Sequence, residues 1–108
     1  MVYNMFLHIL KAVETDVDTI VRISNAGGPE GKPRQELPAV LPQGYMDAFA
    51  TIDADPSQLL MVAETDGAVA GSFHLSFLTH LSGCGQPDAQ IEDVHVSEKF
   101  REQGIGKQ

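Results

Sequence analysis

The chain has no tryptophan, a single cysteine and no repeat, and none of its apolar runs reaches the about 18 residues that a membrane-crossing helix needs. Cys84 has no second cysteine to pair with, which favours a reducing compartment. Residues 1–10 lack a basic leader and are broken by polar residues, so they read as folded chain and not as a signal peptide; a cytoplasmic protein is expected. His8, His74, His80 and His95 show no metal-ligand spacing, so no metal site is expected. The most telling deficit is of basic charge. Between Arg34 and Lys99 there is neither lysine nor arginine, while ten acids fall in that stretch. With a formal net charge of −8, a nucleic-acid partner bound through its phosphates is excluded, and no membrane surface is evident.

What is present fits one globular domain. Its 108 residues are 43% apolar and 20% charged, enough to bury a core and too few for a second domain. The acidic body would give an acceptor side a negative field that gathers cations; equally, the acids could serve solubility alone. Lys99, Arg101 and Lys107 return positive charge within the last ten residues, beside two glycines, which suggests an anion site there.

Hydrophobic patterning orders the elements. Residues 5–13 predict a strand, and residues 15–26 a helix with a capping-box-like spacing over Thr15, Asp16, Val17 and Asp18. Val17, Ile20, Val21 and Ser24 share its inner face. Residues 27–42, rich in glycine and proline, form a long loop in which Lys32 and Arg34 are expected to be exposed. Pro42 opens a second helix with Met46, Phe49, Ala50 and Asp53 on one face, and Asp55-Pro56 closes it.

The second half predicts sheet. Residues 59–63 read as a buried strand, Asp66-Gly67 as a hairpin turn, and residues 69–77 alternate with a period of two. A loop over residues 82–87 leads into a strand at 89–96. There the apolar phase slips, since Ile91 takes one face and Val94 and Val96 the other, as a β-bulge would cause. The expected order is strand, helix, helix, three antiparallel strands and a glycine loop opening a helix.

That loop, Arg101-Glu102-Gln103-Gly104-Ile105-Gly106-Lys107, follows a strand ending Val94-His95-Val96. Paired glycines let backbone N–H groups wrap an anion. A Walker A loop is excluded, because Arg101 stands where its first glycine belongs and Gln108 where Ser or Thr would hold the metal. A dinucleotide fingerprint fails on context. The Arg-x-x-Gly-x-Gly spacing after this strand instead resembles the pyrophosphate loop of the GNAT superfamily of acyl-CoA-dependent N-acetyltransferases.

The resemblance implies an α+β fold, an α/β sandwich with a mixed sheet. It covers only the first half of the family's order of elements, so the 108 residues are expected to be a single domain truncated after the loop. It further implies acetyl-CoA as co-substrate and no metal. Val94, His95 and Val96 would pair with the pantetheine arm, and one of their amides would hold the oxyanion. Arg101, Glu102, Gln103, Gly104, Ile105, Gly106 and Lys107 would hold the pyrophosphate. The acceptor would be a primary amine of a small molecule, attacking directly in a ternary complex, with Glu92 as the base that receives its proton. Asp93 would face away if the strand were regular. His74 and His95 could relay protons, but a core-edge or solvent-facing place is expected of both. Cys84, without a neighbouring base, is not expected to be a nucleophile. The other class of function is a non-catalytic acyl-CoA or protein-binding half-domain, and a homodimer is left open.

Overall fold

The computed structural model describes residues 7–101, of Arg101 the backbone only. Four strands form one antiparallel sheet in the order β1-β2-β3-β4: β1 His8–Lys11, β2 Gln58–Thr65, β3 Ala68–Thr79 and β4 Pro87–Val96. Between β1 and β2 run two helices, α1 Val17–Ala26 and α2 Gln43–Ala54, and a short α3, Glu98–Arg101, follows β4. The α+β reading therefore holds, with the expected order of elements.

Local chemistry accounts for most boundaries. Asp66 and Gly67 take φ of 51° and 76°, the left-handed pair of a tight hairpin that joins β2 to β3. Pro42 precedes α2 with its φ already fixed, and Asp55 leaves the helix at ψ 113° as the residue before proline must. The Asp55 carboxylate then accepts from Gln58 Nε2, Ser57 Oγ and Ser57 N–H, which holds its pKa below the usual value.

Three expectations need correction. The first strand is shorter among the described residues, because the chain turns at Ala12, which is buried, and closes a 3₁₀ turn over Glu14–Asp16. The capping contact lies two residues earlier than the spacing suggested: Val13 N–H donates to Asp16 Oδ2 at 2.9 Å, and Asp16 N–H to Val13 O at 2.8 Å. On α2 the half-buried residues are Tyr45, Met46, Phe49 and Ile52, so of the expected row Met46 and Phe49 face inward while Ala50 and Asp53 are exposed. Asp53 instead points outward to Lys11 on β1, at 3.2 Å. Both partners of that ion pair are about half exposed, so it contributes little.

Residues 27–42 are long but tied down. Arg22 Nη2 donates to Pro38 O and Ala39 O, both at 3.0 Å, and its Nε to Asp18 at 2.9 Å. Asn25 exchanges two bonds with the Gln35 backbone, at 2.9 and 3.0 Å. The Arg34 guanidinium reaches Ser24 O and Gly27 O, a cation set against the carbonyl end of α1. So Arg34, although accessible, has a structural attachment that the loop composition did not announce.

The sheet places α1 and α2 on one face. Between β3 and β4 there is no room for a side chain at Gly71, where a Cβ would lie 2.7 Å from His95 O. Gly71→Ala is expected to destabilise the fold by about 1–3 kcal/mol through this overpacking. Urea unfolding measures it, and an unchanged midpoint would show that the two strands are not held this close.

Candidate active site

The site begins with the pairing of β3 and β4. Ser72 faces His95 and His74 faces Glu92, so a single residue of β3, Phe73, opposes two of β4, Asp93 and Val94. That is a bulge, and Asp93 carries it at φ 51°, a left-handed conformation that aspartate tolerates better than most side chains. The slip in apolar phase is absorbed there. Beyond the bulge Val96 pairs with Gly71, while Ile91 pairs with Leu75, so both return to the same face of the sheet.

The bulge also decides what faces the helices. Ser72, His74, Asp93 and His95 line one wall of an open cavity of about 370 Å³ between the sheet, α1 and α2. The facing wall is mostly apolar, with Val17, Ile20 and Val21 from α1 and Phe49 and Ile52 from α2 beside the hydroxyls of Ser24 and Tyr45, while Leu60 of β2, paired with His74, adds an apolar patch to the sheet wall. Asn25, Arg34, Gln35 and Tyr45 stand where the long loop meets the cavity. Gln35 Nε2 donates to Tyr45 Oη at 3.3 Å and links the loop to α2.

Both histidines discounted on sequence grounds therefore line the cavity. His95 Nε2 lies 3.3 Å from Ser24 Oγ on α1. His74 Nε2 is enclosed and makes no hydrogen bond, so the ring has one nitrogen available for a partner that enters the cavity. Glu92 is exposed and stands across from His74 in the register, outside the cavity lining. Among the described residues Asp93 is the one carboxylate in the lining. The remaining nine acids of the basic-free stretch are not part of that wall.

Val94, His95 and Val96 end an edge strand. Among the described residues no strand lies on the far side of β4. Ser97 N–H donates to Ala70 O at 2.7 Å, and α3 starts at once, with Phe100 buried against Ala70. The Arg101 side chain and residues Glu102, Gln103, Gly104, Ile105, Gly106 and Lys107 lie outside the described residues. Cys84 is exposed in the β3–β4 connection, away from the cavity lining. Among the described residues no cluster of three or more His, Cys, Asp or Glu is arranged to hold a metal ion, and no helix is long and apolar enough to cross a membrane.

Comparison with solved structures finds this arrangement elsewhere. A transcriptional regulator from Bacillus halodurans C-125 is 30% identical, with a TM-score of 0.81 over 94% of this chain and 67% of its own. Glucosamine-6-phosphate N-acetyltransferase from Arabidopsis thaliana is 20% identical, with a TM-score of 0.66 over 94% and 67%. A structure described as a predicted acetyltransferase with acetyl-CoA, from Clostridium acetobutylicum, is 15% identical, with a TM-score of 0.60 over 94% and 67%. No curated protein matches the chain. The family model "Acetyltransferase (GNAT) family" matches residues 26–108, from the end of α1 through the bulged strand to the glycine loop. By that match, and by the fold it shares with these structures, the chain belongs to the GNAT acetyltransferase family.

Proposed function

We propose that this chain provides the acetyl-donor strand and acceptor cavity of an acetyl-CoA-dependent N-acetyltransferase that acts on a primary amine of a small molecule. The observation that carries the reading is the bulge at Asp93, upstream of the two-glycine sequence that begins at Arg101, on a strand with no neighbour at its outer edge among the described residues. Membership of the acetyltransferase family supports acyl transfer, and the Arabidopsis thaliana neighbour is named for the acetylation of a small amine.

The residues divide the work by position. Acetyl-CoA, when bound, supplies the activated acetyl group as its thioester. The Val94, His95 and Val96 backbone runs along the pantetheine arm, and an N–H of this segment donates to the carbonyl oxygen as negative charge develops. Gly104 and Gly106 let the loop backbone approach the pyrophosphate closely, and Arg101 and Lys107 add charge. An ammonium has no lone pair to attack with, so a proton must leave first. Glu92 takes it through water, from a place on the strand beside His74 and next to the cavity wall. A single exposed thiol, Cys84, suits a cytoplasmic enzyme.

Calorimetric titration with CoA tests the donor half. Binding is expected, weakened by about 1–3 kcal/mol in Arg101→Ala; an unmodified chain that takes up no CoA would remove the proposal. Glu92→Gln tests the acceptor half. CoA affinity should hold while turnover at neutral pH falls roughly 10²–10⁴-fold, the deficit shrinking as rising pH supplies free amine. Turnover within about threefold of the unmodified protein across pH 6–9 would assign the proton transfer to another group.

A further inference from the structure

Ser24 and His95 bring a hydroxyl of α1 and an imidazole of β4 together in the cavity. We propose that they form a nucleophile–base pair, and that Ser24 itself accepts an acetyl group from a thioester when no amine occupies the cavity. The thioester donor rests on the acetyltransferase reading; the pair rests on geometry alone.

The contact is the first observation. Ser24 Oγ lies 3.3 Å from His95 Nε2, at the long end of a nucleophile–base distance, and such contacts tighten as charge develops. Both residues are half-buried and both line the cavity. A serine inside a helix commonly turns its hydroxyl back to the carbonyl four residues earlier, here that of Ile20. The Ser24 hydroxyl meets an imidazole on another element instead. The second histidine of the lining holds no hydroxyl, since His74 Nε2 makes no hydrogen bond.

Rigidity is the second observation. Ser24 O accepts from Gly27 N–H at 3.3 Å and from Arg34 Nε at 3.4 Å. His95 is paired with Ser72 across the sheet, and its carbonyl lies so near Gly71 that no side chain fits between them. Both backbones are therefore anchored, as a preorganised pair requires. The third observation is room. Val17, Ile20 and Val21 on the same helix and Phe49 and Ile52 on α2 offer apolar surface to a small acyl group, in a cavity of about 370 Å³.

His95 also belongs to the strand end assigned to the acetyl donor, so a thioester seated there would stand beside the pair. With its Nδ1 protonated, the ring accepts the Ser24 proton at Nε2. Oγ bonds to the thioester carbonyl carbon, and the carbonyl π pair moves onto oxygen. That pair then re-forms the C=O bond as the C–S bond breaks. The thiolate takes the proton from His95, leaving O-acetyl-Ser24 and a free thiol.

The test treats the full 108-residue chain with phenylmethanesulfonyl fluoride and locates the adduct by peptide mass spectrometry. The reagent needs no CoA: a serine oxygen displaces its fluoride, which leaves with the proton. Ser24 is the hydroxyl expected to be labelled, and Ser24→Ala should abolish the adduct. His95→Gln keeps an amide that bonds Ser24 Oγ but removes the base, so labelling should slow roughly 10²-fold. Acetyl-CoA without amine, quenched in acid, should then leave an acetyl ester on Ser24 and release CoA thiol. An unlabelled Ser24, preferential labelling of Ser72, or an equal rate in His95→Gln would overturn the pair. Acetyl-CoA that binds yet leaves Ser24 unacetylated would overturn the self-acetylation. CoA titrated into the same sample keeps the two readings apart. Sulfonylated Ser24 without CoA uptake removes the acetyltransferase reading, whereas CoA uptake without either adduct removes the pair alone.

Discussion

The β-bulge at Asp93 is the constraint on which the site depends. One surplus residue in β4 lets Ile91 and Val96 share a face of the sheet although five positions separate them, and it turns His95 toward α1. Without the surplus, a strict period of two would send His95 and Val96 to the opposite faces. The price is a left-handed backbone at a residue other than glycine, a cost of order 1–3 kcal/mol in general and lower for aspartate. Close pairing around it, with Gly71 against the His95 carbonyl, is what holds the strand in that state.

A second layer of support comes from the long loop. Exposed ion pairs such as Lys11–Asp53 contribute about 0–1 kcal/mol at most. The loop is held differently, by charged and amide side chains that satisfy backbone carbonyls at the end of α1, at Gln35, and at Pro38 and Ala39. These bonds bring Arg34 and Gln35 to the cavity that the α1 and α2 faces open toward the sheet. The same contacts that order the loop thus fix the charge at one end of the proposed acceptor site.

Much of this was legible in the residues. Alternation located β3, Asp66-Gly67 located its turn, Pro42 and Asp55-Pro56 bounded α2, and the phase slip between Ile91 and Val94 gave the bulge away. The inward face of α1 followed from its spacing as well. On α2 the rule placed Met46 and Phe49 correctly and erred at Ala50 and Asp53, because a row counted from Met46 runs one residue past the row from Tyr45 that carries Ile52. His74 and His95 were expected at the core edge or in solvent; the polar side of β3 that carries His74 is the one the helices cover, and the bulge brings His95 to the same side. Arg34 gave no signal at all: its partners are backbone carbonyls, which no side-chain pattern records.

The central claim is that the bulged end of β4 is where the acetyl donor lies. Amide resonances of the 108-residue chain, compared with and without CoA, test it most directly. The account predicts that the largest shifts and the greatest gain in protection from hydrogen exchange fall at Val94, His95 and Val96. Shifts concentrated on α1 and α2 with β4 unmoved would contradict it.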